Sequence, residues 1–95
     1  MPLTIVAQMT AKDGKADALR EALTGLVGPT LSEAGCEIYE LHRSVEDPNL
    51  FHFHEVWTTR EDWEAHGQSA HINAFRAMGG ELLADRKIFQ LERIA

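Results

Sequence analysis

Two stretches decide how this chain folds: EIYELHRS at Glu37–Ser44 and LFHFHEVWT at Leu50–Thr58. Both are rich in branched and aromatic residues, and the segment between them, Glu46-Asp47-Pro48-Asn49, is a cluster of turn formers. The pair reads as a β-hairpin. Successive side chains of a strand point to opposite faces, which groups Phe51, Phe53, Glu55 and Trp57 on one side and His52, His54 and Val56 on the other. The aromatic side is expected to meet helices.

On the N-terminal side of the hairpin, LTIVAQM at Leu3–Met9 reads as a strand, closed by the turn-like Lys12-Asp13-Gly14. From Lys15 onward Leu19, Leu23, Leu26 and Val27 fall at i, i+4, i+7 and i+8, the apolar stripe of a helix. Gly28-Pro29 is expected to kink or interrupt that helix, since proline has no amide donor and crowds the preceding turn, and Gly35 supplies a stop. On the C-terminal side, Thr58 with Glu61 three residues on is a capping-box signal. It predicts a helix from about Thr59 or Arg60 that carries Trp63 and His66 on one side until Gly67-Gln68-Ser69 breaks it. A further helical stretch from about Ala70 has Ile72, Phe75, Met78 and, past a weak point at Gly79-Gly80, Leu82 and Leu83 as its apolar side. A last strand is expected over Lys87–Ile94.

The order β-α-β-β-α-β is the ferredoxin-like pattern of the α+β class: a four-stranded antiparallel sheet with both helical regions on one face. Residues 1–95 then make one domain, in keeping with a chain too short for a second core. The other face of the sheet also carries apolar positions, and a chain with no spare element hides such a face against a symmetric partner, so a homodimer is expected.

Composition removes several function classes. Hydrophobic residues at 44% and charged residues at 25% are ordinary for a folded domain. Fifteen acidic residues against nine basic ones, spread along the chain to a net charge of −6, leave no basic stripe for nucleic acid. Apolar runs are far shorter than the roughly 20 residues that cross a bilayer, and the start MPLTIVAQMT has neither the basic head nor the apolar core of a secretory signal. The expectation is a cytoplasmic protein with no membrane partner. Cys36, the one cysteine, has no disulfide or CxxC partner and reads as a small buried hydrophobe.

In this order the residues resemble the antibiotic biosynthesis monooxygenase domain, a dimeric α+β barrel family that includes quinol and anthrone monooxygenases, haem-degrading enzymes and a signal-molecule isomerase. The resemblance covers nearly the whole chain. It rests on Ala11-Lys12-Asp13-Gly14-Lys15, Glu33-Ala34-Gly35-Cys36, Tyr39-Glu40-Leu41, Phe53-His54-Glu55-Val56-Trp57 and His66-Gly67-Gln68-Ser69-Ala70-His71. It implies a pocket between sheet and helices for an apolar aromatic small molecule. For the oxygenase branch it implies oxidation of a quinol or phenol by O₂ with no metal or flavin cofactor, the substrate anion giving an electron to oxygen. Fold alone does not fix the reaction, so an isomerase using the same pocket and a non-catalytic binding module stand as rivals.

Such chemistry needs a base for the phenol proton and donors for the resulting anion. Glu55, a carboxylate among aromatics, is one candidate, because lost hydration raises a carboxyl's pKa toward neutrality; the alternative is a glutamate bonded to an arginine or amide. His66 and His71 are the others, five apart across the break at Gly67–Ser69, and either they reach the pocket or they bond the helix junction. Phe53, Trp57, Trp63 and Phe75 are the expected walls, with Trp57 equally readable as a core aromatic. The resemblance also places Arg43 and Trp63 among the pocket residues of the anthrone-oxidising branch, although Phe53 stands where that branch has an amide. Ala7 and Ala77 stand where the haem-degrading branch has an asparagine and a histidine, so haem is not expected. His42, His52 and His54 would share a face if Ser44 lies across from His52, whereas a one-residue slip turns His42 away. No metal site is expected from them.

Overall fold

The computed structural model describes residues 2–95 and follows the order β1 (Leu3–Ala11), α1 (Ala16–Leu31), β2 (Cys36–Arg43), β3 (Leu50–Trp57), α2 (Arg60–His66), α3 (Ala70–Leu82) and β4 (Leu83–Leu91). The strands form one antiparallel sheet in the order β2-β3-β1-β4, the ferredoxin-like arrangement. Across it, Tyr39 lies opposite Glu55, Glu55 opposite Ile5, and Phe53 opposite Ala7, so these side chains share the face that meets the helices. Ile5, Ala7, Met9, Phe51, Phe53 and Trp57 from that face are buried against Leu19, Leu23 and Leu26 of α1 and Phe75 of α3. Burying each such side chain contributes about 1.5–3 kcal/mol.

Several element boundaries differ from the sequence expectation, each for a local reason. Pro29 does not interrupt α1, because it falls in the last turn, where it forfeits one hydrogen bond and no more than a residue or two follows. The helix then tightens to close: the Ser32 amide bonds to the Pro29 carbonyl at 3.3 Å and the Glu33 amide to the Thr30 carbonyl at 3.0 Å. The cap of α2 is Thr59, whose hydroxyl accepts from the Asp62 amide at 3.1 Å, while Thr58 donates to the Glu37 carboxylate of β2 at 2.9 Å. Gly79-Gly80 is passed through without a break. Helix α3 ends at Leu82 because Lys12 takes its last carbonyls, its amide on Leu82 at 2.9 Å and its ammonium on Gly80 at 2.7 Å. Strand β4 starts at once at Leu83, four residues earlier than expected, and stops at Leu91; Met78, placed on the apolar side of the helix by spacing, is exposed.

Gly35 joins α1 to β2 at φ +79°, and a Cβ built there would stand 2.7 Å from Asp62 Cβ and closer still to its carboxyl group. Both the backbone region and the lack of room require glycine. Gly35→Ala is therefore expected to cost about 1–3 kcal/mol of unfolding free energy, measured by denaturant titration. An unchanged midpoint would refute this.

The opposite face of the sheet has no helix. Its rows run Ile38–Val56–Thr4–Leu91, Glu40–His54–Val6–Phe89 and His42–His52–Gln8–Lys87. Phe89 and Leu91 are 43% and 45% exposed there, an apolar patch of the kind that monomers seldom leave open.

Candidate active site

Between the helix-side face of the sheet and α2–α3 lies a cavity of about 660 Å³, within the range of small-molecule sites. Its floor is Ile5, Ala7, Met9, Phe53 and Glu55; Leu26, Ile72 and Phe75 roof it, and Trp63 and His66 form a side. Arg76 and Arg86 also line it. The alternation in β3 delivers Phe53 and Glu55 to this space, and the break after α2 lets His66 turn into it.

Glu55 is 4% exposed, and the Trp57 indole N–H donates to its Oε1 at 3.0 Å. Burial pushes its carboxyl up to about 7, over the opposing effect of the indole bond, with the nearby Glu33 charge adding to the rise. Tyr39 lies across from it and stacks on Phe53 with ring centres 4.5 Å apart. Burial, and then the Glu55 charge, hold the Tyr39 phenol well above its ordinary value, so it stays protonated.

His66 is 6% exposed. Its Nδ1 lies 2.6 Å from Glu33 Oε2. A carboxylate oxygen accepts, so Nδ1 carries the proton and Nε2 is left with its lone pair. No buried polar side-chain atom among the described residues lacks a partner, and Nε2 has none of its own, so it meets open space in the cavity His66 lines. Burial lowers the His66 pKa; the Glu33 hydrogen bond and charge resist, and His71 and Arg76 add to the fall. The imidazole is thus neutral near pH 7 and held in the tautomer that accepts a proton.

The remaining candidates are placed elsewhere. His71 does not line the cavity: its Nε2 is 3.1 Å from Glu33 Oε2, 3.1 Å from Thr30 Oγ1 and 3.4 Å from Ser69 Oγ, so it braces the helix junction from behind. Trp57 is fully buried and bonded to Glu55, with its ring 4.7 Å from that of His66, and supports the site without facing a ligand. Arg43 sits at the far end of β2, its guanidinium 6.0 Å above the Phe51 ring, beside a separate depression with Arg20 and Val45. Glu33 is the residue that sequence reasoning missed as part of the site. Its only sequence signal was its place in the Glu33–Cys36 segment, since nothing in a chain reading brings position 33 against positions 66 and 71.

Glu33, His66 and His71 also form the donor set that suits a divalent transition metal. Two ligands on one tetrahedral ion stand roughly 3.3 Å apart for metal bonds near 2.0–2.1 Å. The 2.6 Å carboxylate–imidazole separation is that of a charge-assisted hydrogen bond instead. On the open face, His42 lies opposite His52 and Glu40 opposite His54, so the three histidines share a face through a register two residues from the one considered above. Glu40 stands 3.7 Å from His42 and 3.6 Å from His54 and separates them.

The site thus places a neutral buried imidazole, oriented by a carboxylate, beside a carboxyl of near-neutral pKa at one cavity. The profile of the antibiotic biosynthesis monooxygenase family matches residues 2–78. The chain belongs to that family. Protein Rv0793 of Mycobacterium tuberculosis is 33% identical over 82 residues, which span 86% of this chain and 80% of that one. The crystal structure of PA3566 from Pseudomonas aeruginosa superposes with a TM-score of 0.96 at 40% identity, covering 99% of this chain and 95% of that one. The structure of Rv0793 superposes at 0.93 with 27% identity, over 100% and 97% of the two chains. Family membership accounts for the sheet, the paired helical regions and the cavity between them. No helix in the described residues is long and apolar enough to cross a membrane.

Proposed function

We propose that this family member is a cofactor-independent monooxygenase that oxidises a quinol or related phenol with O₂ in the cavity between sheet and helices. The observation that carries the reading is the Glu33–His66 pair: Nδ1 engaged at 2.6 Å, Nε2 without a partner at the cavity. His66 Nε2 takes the phenolic proton, and Glu33 stabilises the imidazolium that results. The quinol anion gives one electron to O₂; the two radicals join to form a carbon–oxygen bond. The ring carbon then carries a hydroperoxide. The His66 imidazolium returns its proton to the peroxide to make that hydroperoxide. The O–O bond then breaks as the protonated Glu55 carboxyl delivers a proton to the outer oxygen, which leaves as water, while the ring hydrogen passes as a proton to the now neutral His66 Nε2 and from there restores Glu55. The balance is quinol plus O₂ to hydroxyquinone plus water. The substrate supplies all four electrons, so the scheme calls on no flavin or metal.

The experiment is oxygen uptake with substituted hydroquinones under ¹⁸O₂. One label in the product and one in water is the expected result. Turnover of a hydroxycarbonyl compound without oxygen uptake would favour an isomerase working through the same two proton carriers, and binding without either would leave a carrier.

The same proposal includes a symmetric homodimer closed over the bare sheet face, with Phe89, Leu91, Val6 and Val56 at its centre. Light scattering at micromolar concentration is expected to give twice the 10.6 kDa chain mass, about 21 kDa. A mass near 10.6 kDa would overturn it.

A further inference from the structure

From the two arginines at the cavity we infer that its ligand carries an anionic group, a carboxylate or phosphate, beside the reacting ring or on a chain from it, and that Arg86 with Arg76 holds it. This deepens the monooxygenase reading by naming a substrate class for the same cavity.

The chain has nine basic residues against fifteen acidic ones, yet two of the nine line a cavity whose floor is apolar but for Glu55. Arg86 is opposite Met9 in the β1–β4 pairing, which places it on the helix-side face of the edge strand. Every ion pair within 4.0 Å among the described residues involves a histidine, so neither arginine is neutralised by a carboxylate. Arg76 is steadied by Nη1 donating to the Gly67 carbonyl at 2.6 Å and to Asn73 Oδ1 at 3.1 Å. The cavity's two carboxyls are Glu55, whose raised pKa leaves it largely uncharged below neutrality, and Glu64 on α2, which pairs with neither arginine. A guanidinium fork beside an apolar chamber matches the planar oxygens of a carboxylate or the oxygens of a phosphate.

The sheet also sets the spacing. Glu55 lies opposite Ile5, and Arg86 opposite Met9. Those rows are four residues apart, about 14 Å along the strands, and β3 and β4 flank β1, about 10 Å across. These are main-chain separations, which the Arg86 and Glu55 side chains shorten, while Arg76, bonded to the Gly67 carbonyl beside His66, stands at the ring end of the same cavity.

The test is equilibrium binding to the whole protein, read by tryptophan fluorescence under nitrogen, so that it does not depend on turnover. Probes are hydroquinones bearing a flexible chain that ends in a carboxylate, the neutral amide of the same length, or a phosphate monoester. The carboxylate or the phosphate is expected to bind about 10–100-fold tighter than the amide at low ionic strength, and whichever is the tighter names the source. Arg86→Gln should bring the ratio close to one, while Arg20→Gln, at the separate depression beside Arg43, should keep it. Equal binding of acids and amide by the wild-type protein would overturn the inference, as would a preference that survives Arg86→Gln combined with Arg76→Gln. Absence of oxygen uptake with a probe that shows the preference would sink the monooxygenase reading and leave this inference standing.

Discussion

His66→Ala is expected to lower kcat for quinol oxidation by about 10²–10⁴, the usual contribution of a positioned base, with the fold retained. Glu33→Gln tests whether the partner sets the base. The Glu33 hydrogen bond and charge hold the His66 pKa up against burial, so removing the charge should lower it further. His66 acts when neutral, so the acid limb of the kcat/KM profile should move to lower pH in Glu33→Gln. The alkaline limb should lie near pH 7, where Glu55 loses the proton it is proposed to donate, and should vanish in Glu55→Gln. A merely structural Glu33 would change yield or stability and leave the acid limb in place. Wild-type kcat in His66→Ala would refute the assignment.

Glu55 should also make folding stability depend on pH. Its folded-state pKa, about 7, lies above the ordinary 4.5, so the native state holds this proton more tightly than the unfolded chain. The favourable contribution is complete below about pH 4.5 and is lost as pH rises through 7. The difference corresponds to about 3 kcal/mol. Glu55→Gln keeps an oxygen for the Trp57 indole and has nothing to ionise. Relative to that variant, the wild-type protein should lose about 3 kcal/mol of unfolding free energy between pH 4 and pH 8, roughly 10–20 °C in Tm for a domain of this size. Denaturant titrations of both proteins at several pH values measure it. Parallel curves would mean that Glu55 is hydrated and ionised in the native state.

The fold was legible because the local signals agree with one another. Alternation in β3, the Leu19–Leu23–Leu26 stripe and the turn formers at 46–49 each admit one reading, and burial follows all three. Pro29 and Gly79-Gly80 misled because a breaker's cost depends on where it falls in a helix and on what holds the end. Lys12, which closes α3 from 68 and 70 residues away, is invisible to any local window. In the site, Glu55, Phe53, Trp63 and Phe75 follow from periodicity. Trp57 and Glu55 share a strand face, yet only the structure shows the indole N–H bonded to the carboxyl and the ring outside the cavity lining. His66 and His71 looked alike because a broken helix gives no angle between them, and their separation into cavity wall and rear support comes from Glu33, to which both turn.

Glu33 touches His66 and not the chamber, since it is absent from the cavity lining while bonded to His66 from behind. The shape that selects a ligand and the group that sets proton affinity are thereby carried by different residues on different elements. Substitutions at position 33 can shift reactivity without reshaping the chamber. Substitutions at Ile72 or Phe75 can reshape it without touching the Glu33–His66 bond. On the proposed reading of His66 as the base, a change at position 33 and a change in the chamber wall therefore act on different properties of the site.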